Sequence, residues 1–264
     1  MNIKYKFKKA LKIYPWAYKF CNEFWFFLKL TYQSFYFFLF YPKVKIYKNK
    51  LNTDYTKYKS QFFQDRIIEG VLSGKKNGFF VDIGANRYDK NSNSYYFEKY
   101  LGWHGLAIDP IAKFERDWKS KRKKSIFMKF AVGNANRKVD FVHFHTQLED
   151  WEDMLSGLVG KVRSEDLNMS HEIISVKMRK LKDLLKEAKV KKIDFMSIDV
   201  EGSEMQVLAG SNFVKYRPSV ILIENTKNIL GSSDIRIFMK ENKYKFYARI
   251  STTDDLYICN SISF

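Results

Sequence analysis

Residues 79–86 read Phe-Phe-Val-Asp-Ile-Gly-Ala-Asn, a short apolar run that contains one acid and ends at a glycine. Such a run, bounded by glycine, is typical of a buried strand in a parallel sheet. Gly84 permits close approach of a ligand to the backbone, and the start of the next helix offers free N–H groups to an anion. We therefore expect Asp82, Gly84 and Asn86 to line a ligand site at the end of this strand.

The rest of the chain repeats this pattern of apolar strand followed by helix. Further strands are predicted at 105–109, 126–132, 139–145, 176–178, 193–200 and 219–224, and helices near 62–72, at 94–100, through Trp118, at 181–188 and at 203–208. Residues 244–250 and 256–259 flank Thr252-Thr253-Asp254-Asp255 and predict an antiparallel hairpin. The sequence thus predicts an α/β fold whose mostly parallel sheet has one antiparallel strand near its edge.

Several of the predicted core strands end in an acid. These acids are Asp82, Asp109, Asp199 with Glu201 two residues later, and Glu224. Each by itself could be a solvated turn residue. Because the carboxyl ends of parallel strands share one edge of the sheet, we expect the acids to converge on one rim, where α/β sheets bind ligands.

The glycines around the first strand restrict the kind of ligand. No glycine lies between Gly84 and Gly102, so the G-x-G-x-x-G fingerprint of dinucleotide sites is missing, and a phosphate-cradling P-loop is missing too. Asp109 follows Asp82 by 27 residues, near the spacing of about 20 expected for an acid that binds a ribose. These features favour a nucleoside without a pyrophosphate and disfavour a nicotinamide oxidoreductase.

Five segments together resemble the FkbM family of S-adenosylmethionine-dependent methyltransferases. They are residues 79–86, 92–97, 102–110, 193–204 and 217–225. Their order and spacing are preserved from about Ser60 to Asn225, and Ile198-Asp199-Val200-Glu201-Gly202 is the most diagnostic piece. After Asn86, this chain has Arg87-Tyr88 where many relatives have Asp-Gly or His-Pro.

The resemblance implies a class I, Rossmann-like methyltransferase fold with a seven-stranded sheet. It also implies that S-adenosylmethionine lies over Asp82, Gly84 and Asn86, with its ribose on Asp109 and its adenine beside Ala131 and Val132. Acceptors known in this family are mostly hydroxyl groups of sugars and polyketides. The expected reaction is therefore O-methylation.

An alcohol has to lose its proton as it attacks the methyl group, which requires a general base or a metal ion that acidifies it. We assign the base role to Asp199. Glu201 and Glu224 either orient the acceptor or share a divalent ion. In the alternative interpretation, Glu201 only hydrogen-bonds the turn at Gly202.

Three further residues are weaker site candidates. His143 and His145 stand two apart on a predicted strand and so point to one face, as a base or metal pair or as half-exposed strand residues. Ser156 resembles a family loop position near the donor or the acceptor.

Residues 1–50 differ from the rest of the chain. The 264-residue chain has a net charge of +18, and these residues hold eleven lysines and one acid, Glu23. Residues 24–41 contain eleven aromatic side chains, but Lys29, Gln33 and Ser34 interrupt the run. A membrane-spanning helix needs about 20 mostly apolar residues, so this helical appendage is predicted either to lie on an anionic membrane surface or to pack on the following domain.

The domain organisation follows from this contrast. We predict a basic, aromatic appendage with its linker at 1–59 and a methyltransferase domain at 60–264. Two cysteines cannot form a disulfide framework, which indicates a reducing compartment. The expected location is the cytoplasm, with the appendage at the inner face of a membrane.

Two other functions compete with O-methylation of a surface polysaccharide or lipid-linked glycan. The basic charge would suit a nucleic-acid methyltransferase, but an acidic rim repels phosphate. Enzymes that methylate amino groups of nucleic-acid bases usually carry Asp/Asn-Pro-Pro-aromatic at this place, where the present chain has Asp199-Val200-Glu201-Gly202. A non-catalytic, membrane-associated scaffold is the second alternative. It would be favoured if the donor did not bind.

Overall fold

The computed structural model describes residues 54–144, 152–226, 233–250 and 253–260. The appendage at 1–50 lies outside the described residues, and so does His145. Within the described ranges, no helix is both long and apolar enough to cross a bilayer.

Eleven strands and six α-helices make up this part of the chain. The strands are β1 Phe79–Ile83, β2 His104–Ile108, β3 Ser125–Met128, β4 Ala131–Gly133, β5 Arg137–Phe144, β6 Gly157–Leu158, β7 His171–Lys180, β8 Phe195–Ile198, β9 Val220–Glu224, β10 Tyr244–Ile250 and β11 Asp254–Cys259. The helices are α1 Gln64–Val71, α2 Tyr95–Leu101, α3 Ala112–Lys121, α4 Leu181–Glu187, α5 Glu204–Ala209 and α6 Asp234–Glu241.

The main sheet has seven strands in the order β10-β11-β9-β8-β1-β2-β3. β11 runs antiparallel to both β9 and β10, while the pairs among β3, β2, β1, β8 and β9 are parallel. This arrangement confirms the predicted α/β sheet with one antiparallel strand next to its edge. It also agrees with the class I methyltransferase fold that the family resemblance implies.

The core follows from the apolar runs that predicted the strands. Val81, Leu106 and Ile198 are buried in one cluster with side chains of the neighbouring helices, including Leu184 and Val207. Because both faces of the central strands are covered, these strands carry continuous apolar runs rather than an alternating pattern.

A second sheet, which the sequence analysis missed, packs beside the first. Its four strands have the order β4-β7-β5-β6. Phe141, Leu158 and Met178 from this sheet join Phe114 and Trp118 of α3 in a separate apolar cluster. The second sheet therefore forms a wall next to the carboxyl end of β2.

Two predicted strands change as a result. The single strand expected at 126–132 is wrong: the chain leaves the main sheet after Met128, and Ala131 pairs with Met178 in the second sheet. The strand expected at 176–178 is the end of β7, which runs from His171 to Lys180 and pairs along the whole length of β5. Alternation was visible in the sequence of β5, but its pairing with β7 was not.

Helix α6 was not predicted, although its start signal is present in the sequence. Ser233 caps the helix by accepting a hydrogen bond from the backbone N–H of Arg236. Ile235 and Met239 lie one helical turn apart and are buried.

The predicted linker is anchored to the domain at its end. Tyr58 is buried, and its hydroxyl donates a hydrogen bond to Glu69 of α1. The backbone N–H groups of Lys59 and Ser60 donate to Asp65. The domain boundary at residue 60 stays a prediction, but the chain is already in contact with the domain from Tyr55 onward, whose hydroxyl accepts a hydrogen bond from Arg66 at 3.2 Å.

A buried cation ties together the helices behind β1. The Arg122 guanidinium donates to Glu98 at 2.8 Å, to the carbonyl of Tyr88 at 2.8 Å and to the hydroxyl of Ser94 at 3.1 Å. It also lies 4.4 Å from the ring centroid of Trp118. Removing one partner of a buried ion pair leaves the other charge without compensation.

We predict that Arg122→Ala lowers the free energy of unfolding by about 3–5 kcal/mol. Arg116→Ala is the control, because that side chain is 91% exposed and its loss should cost less than about 0.5 kcal/mol. Urea unfolding measures both values. Equal effects of the two substitutions would contradict the role given to Arg122.

Candidate active site

A cleft opens at the carboxyl ends of β1, β2 and β8, with the second sheet on one side. Its volume is about 870 Å³, including the part that is open to solvent. Glu224 is not among the lining residues, but the other predicted donor and catalytic residues and Ser156 are: Asp82, Gly84, Asn86, Asp109, Ala131, Val132, Ser156, Asp199 and Glu201. The structure thus brings together residues that lie more than a hundred positions apart in the sequence.

Gly84 lets the ends of β1 and β8 come into contact. Its φ is +76°, and a Cβ atom there would lie 1.7 Å from the backbone oxygen of Asp199. No other residue fits this position without separating the two strands. Gly84 therefore acts by bringing Asp199 next to the loop that follows β1.

Asn86 shapes that loop through its backbone. Its φ is +44°, in the left-handed region that asparagine tolerates better than most residues. The Trp118 ring N–H donates to its carbonyl oxygen at 2.8 Å, and its own N–H donates to Asp109 at 2.9 Å. These contacts define the loop past Asn86, where the sequence departs from many relatives.

Asp109 lies at the end of β2 with part of its carboxylate still available. It accepts from the backbone N–H of Asn86 at 2.9 Å and from that of Ile111 at 2.9 Å. Burial raises its pKa to about 6, so the group is ionised at neutral pH. A carboxylate has about four acceptor sites, and those left over suit the two O–H donors of a ribose.

Apolar side chains next to Asp109 form a slot in the cleft. Its lining consists of Ile111, Ala131, Val132, Phe141 and Leu158. Ala131 and Val132 come from β4, Phe141 from β5 and Leu158 from β6, which are all strands of the second sheet. A flat aromatic base fits such a surface, and the second sheet thus supplies a wall that the sequence did not predict.

Two buried polar atoms in the cleft lack a protein partner. Within the ranges that the structure describes, the Ser203 hydroxyl and the Asn93 side-chain oxygen make no hydrogen bond. Ser203 is only 2% exposed, and both residues line the cleft. Since buried polar groups are nearly always satisfied, these atoms indicate a polar ligand.

Asp82 is bound by a side chain at the start of the helix that follows β1. The hydroxyl of Ser94 donates to one of its oxygens at 2.6 Å. Burial raises its pKa, while this hydrogen bond and the nearby Arg122 oppose the rise. Asp82 connects the cleft to the buried Arg122 network.

The three predicted catalytic acids meet in one cluster. One carboxylate oxygen each from Asp199, Glu201 and Glu224 lies within 4.8 Å of the other two. Among the residues that the structure describes, no donor or cation forms a hydrogen bond or ion pair with these carboxylates. Ile198 of β8 lies opposite Ile223 of β9. Asp199 and Glu224 directly follow these two residues and are therefore neighbours at the ends of the two strands.

Like charges and burial act together on this acidic cluster. Burial raises the pKa of Asp199 well above its usual value, and Glu224 and Asp254 raise it further. Burial and Asp199 raise the pKa of Glu201 to about 9, against a smaller opposing effect of Arg163. The pKa of Glu224 is also well above normal, through burial and Glu201. At neutral pH the acidic cluster therefore retains protons.

Glu201 does not shape the turn that follows β8. The backbone N–H groups of Val200 and Gly202 both donate to Glu204, at 3.2 and 3.0 Å. The alternative interpretation of Glu201 is therefore wrong, and Glu204 has the role that it described. Glu201 has a φ of +51°, and a strained residue of this kind is common at functional sites.

Glu224 is positioned by the residues that follow it. The Asn225 side chain donates to Asp255 at 2.8 Å and to Ser233 at 2.9 Å, and Asp255 is fully buried between Arg236 and Arg249. The end of β9 is thereby joined to β11 and α6. Asn225 belongs to the resembling segment, but no sequence signal indicated this contact.

His143 does not line the cleft. Its Nε2 lies 3.2 Å from Asp153 and its Nδ1 lies 3.2 Å from Glu172. The hydrogen bond to Asp153 raises the pKa of His143, although burial opposes the rise. The pairing with His145 stays a prediction.

Asp153 is a site residue that the sequence analysis missed. It lines the cleft, and it also receives an ion pair from Lys113 of α3. Its position could not be found from spacing, because its partners Lys113 and His143 come from two separate elements, α3 and β5. Ser156, in contrast, accepts a hydrogen bond from the Phe144 N–H at 3.1 Å, which indicates a structural role.

We predict that Glu201→Gln stabilises the protein by an amount that grows with pH. The folded protein holds a proton on Glu201 up to a pKa of about 9, whereas the unfolded value is near 4.5. The wild type therefore loses stability relative to the variant as pH rises between these values, by at most about 1.4 kcal/mol per pH unit.

Denaturant unfolding at pH 5 and at pH 8 measures this difference. Glu165→Gln is the control, because that side chain is 76% exposed. A stability difference between Glu201→Gln and wild type that did not change with pH would contradict the protonated acidic cluster.

Comparison with known proteins agrees with this geometry. A family profile described as "Methyltransferase FkbM domain" matches residues 82–246, which is well over half of the chain and spans the strands that form the cleft. No curated protein and no solved structure matches. The predicted family is confirmed: the chain belongs to the FkbM methyltransferase family.

Proposed function

We propose that this methyltransferase uses S-adenosylmethionine to methylate a hydroxyl group of a sugar, in a surface polysaccharide or a lipid-linked glycan. The observation that carries the proposal is the acidic cluster of Asp199, Glu201 and Glu224 beside the cleft. Three carboxylates that form no hydrogen bond or ion pair with the described residues are suited to bind hydroxyl groups and to remove a proton from one of them.

The cleft fits the methyl donor that the family implies. Asp109 has acceptor sites left for the ribose hydroxyls, and the apolar slot with Ala131 and Val132 fits the adenine. Ser203 and Asn93 offer polar atoms that the described residues leave unsatisfied. When bound, the donor supplies a methyl group activated by its positively charged sulfur. The acid-rich rim favours such a cation electrostatically.

The acceptor must be held in line with the methyl group and must lose its proton. We assign the removal of this proton to Asp199. The positively charged sulfur of a bound donor would favour the ionised form of Asp199, and a carboxylate whose pKa lies above normal is a stronger base. Glu201 and Glu224 would accept hydrogen bonds from neighbouring hydroxyls, which a sugar offers in close succession. Holding the acceptor in this way can supply a large part of the rate enhancement.

A divalent ion is the alternative role for the acidic cluster. Three carboxylates at this spacing suit Mg²⁺ or Ca²⁺, which prefer oxygen ligands. Binding of an ion would displace the protons that the acidic cluster holds and would acidify a coordinated hydroxyl. A chelator separates the two roles, because it stops only the reaction that needs the ion.

The charge distribution supports a glycan over a nucleic acid. The cleft carries several acids, and phosphate groups would be repelled from it. The lysines of residues 1–50 would instead contact an anionic membrane, which places the protein at the inner face of a membrane in the cytoplasm. That contact remains part of the proposal, as does the division into residues 1–59 and 60–264.

We predict that Asp109→Ala weakens binding of S-adenosylmethionine about 10- to 100-fold, the value of hydrogen bonds to a charged group. Isothermal titration calorimetry measures the affinity. Asp140→Ala, an exposed acid of β5, is the control and should leave it unchanged. Full affinity in Asp109→Ala would show that the ribose lies elsewhere.

We also predict that Asp199→Asn binds the donor normally but loses at least about 100-fold in turnover. Transfer of a labelled methyl group to the host's glycan extract measures turnover, with Glu165→Gln as the control. Undiminished turnover in Asp199→Asn would reject the base role. Transfer to nucleic acid instead of glycan would favour the first alternative function, and a wild type that does not bind the donor would favour the scaffold.

A further inference from the structure

The main sheet carries a basic surface at the end where its parallel strands begin, opposite the cleft, and the proposed function does not use this surface. We propose that this end of the sheet is a docking surface for an anionic lipid bilayer, separate from residues 1–50. We call it the basic edge, and it consists of the segments that lead into β1, β8, β9 and β10.

The topology brings these four segments together. β1, β8 and β9 are parallel, and β10 has the same direction because β11 is antiparallel to both β9 and β10. Their first residues therefore lie at one edge, and the cleft lies at the other. All four strands begin directly after a lysine-containing turn.

Hydrogen bonds join each of these turns to the next. Lys75, before β1, contacts Asp194, before β8, at 2.6 Å. Ser219, before β9, donates its N–H to the carbonyl of Ile193 at 3.0 Å. Arg217 donates to the carbonyl of Asn242, before β10, at 2.6 Å. The basic edge is therefore one continuous surface.

Exposed lysines dominate this surface. They are Lys76, Lys189, Lys191, Lys192, Lys215 and Lys243. Asp194 lies among them but is buried and already accepts from Lys75 and from the Phe79 N–H. Of the exposed acids nearby, Glu187 is paired with Arg179, and Glu241 follows at the end of α6. The excess of positive charge suits an anionic partner.

An apolar side chain projects from the middle of the basic edge. Val214 is 96% exposed, directly before Lys215. Phe213 and Tyr216 on either side are buried in the core, and the Phe213 ring lies 5.8 Å from that of Tyr244. The buried side chains of Phe213 and Tyr216 thus fix the turn, and the side chain of Val214 points into solvent.

This combination favours a bilayer over a nucleic acid. Lysines attract the negative surface of the bilayer, and an apolar side chain gains free energy by entering the acyl boundary. A phosphate backbone would use the lysines but would leave Val214 in water. Docking through this edge turns the cleft toward the aqueous phase, where a glycan chain can reach it.

Co-sedimentation of the full chain with lipid vesicles tests the proposal. The wild type should bind vesicles that contain phosphatidylserine and not vesicles of phosphatidylcholine alone. The double variant Lys191→Glu with Lys192→Glu should lose at least about 25-fold in partitioning, since each lysine near the surface contributes about fivefold. Val214→Asp should reduce partitioning as well, without removing a lysine.

The matched control is Lys138→Glu with Lys177→Glu. These two exposed lysines are cross-strand neighbours on the second sheet, and the control changes the net charge equally. Its partitioning should stay within about twofold of wild type if position rather than net charge matters. Thermal melting and methyl transfer to a soluble acceptor show that each variant is folded.

Three results would overturn the proposal. The first is unchanged vesicle binding by the Lys191/Lys192 variant, and the second is an equal loss of vesicle binding in the Lys138/Lys177 control. The third is a Lys191/Lys192 variant that loses affinity for an RNA or DNA duplex but still binds vesicles. Because methyl transfer is measured separately, failure of the docking proposal leaves the proposed function unaffected.

Discussion

The close approach of β1 and β8 at their carboxyl ends is the constraint on which the cleft depends. Gly84 has no Cβ, and the backbone oxygen of Asp199 occupies the space where one would lie. This contact carries Asp199 to the loop after β1, and the register of β8 with β9 then adds Glu224. Any larger residue at position 84 would separate the donor half of the cleft from the acidic cluster.

Concentrating acids at one edge has an energetic cost that the fold offsets elsewhere. Desolvation and mutual repulsion keep the acidic cluster partly protonated, and the left-handed backbone of Glu201 adds strain. The surrounding structure is well satisfied: Glu204 caps the turn, Asn225 ties β9 to Asp255, and Arg122 is bound on several sides. A rigid frame of this kind holds charged side chains ready for a ligand.

The predicted elements were most accurate where a single local pattern decided them. Strands β1, β2, β8 and β9 were all found, because a continuous apolar run ended by an acid or glycine needs no distant partner to be recognised. The expected strand at 126–132 failed because the chain changes sheets at Lys129 and Phe130, and no residue there is a turn signal. The role of Glu204 was missed because Glu201, three residues earlier, offered the same chemistry.

The order of apolar runs, the acids that end them and the glycine after β1 are local properties, so the sequence by itself determined the sheet, the family and the rim on which the acids lie. The second sheet, the ion pairs of Asp153 and the continuity of the basic edge were decided only in the tertiary structure. Each of these arises from pairing between segments far apart in the chain, and the free energy of such pairing depends on register and packing that no single segment specifies.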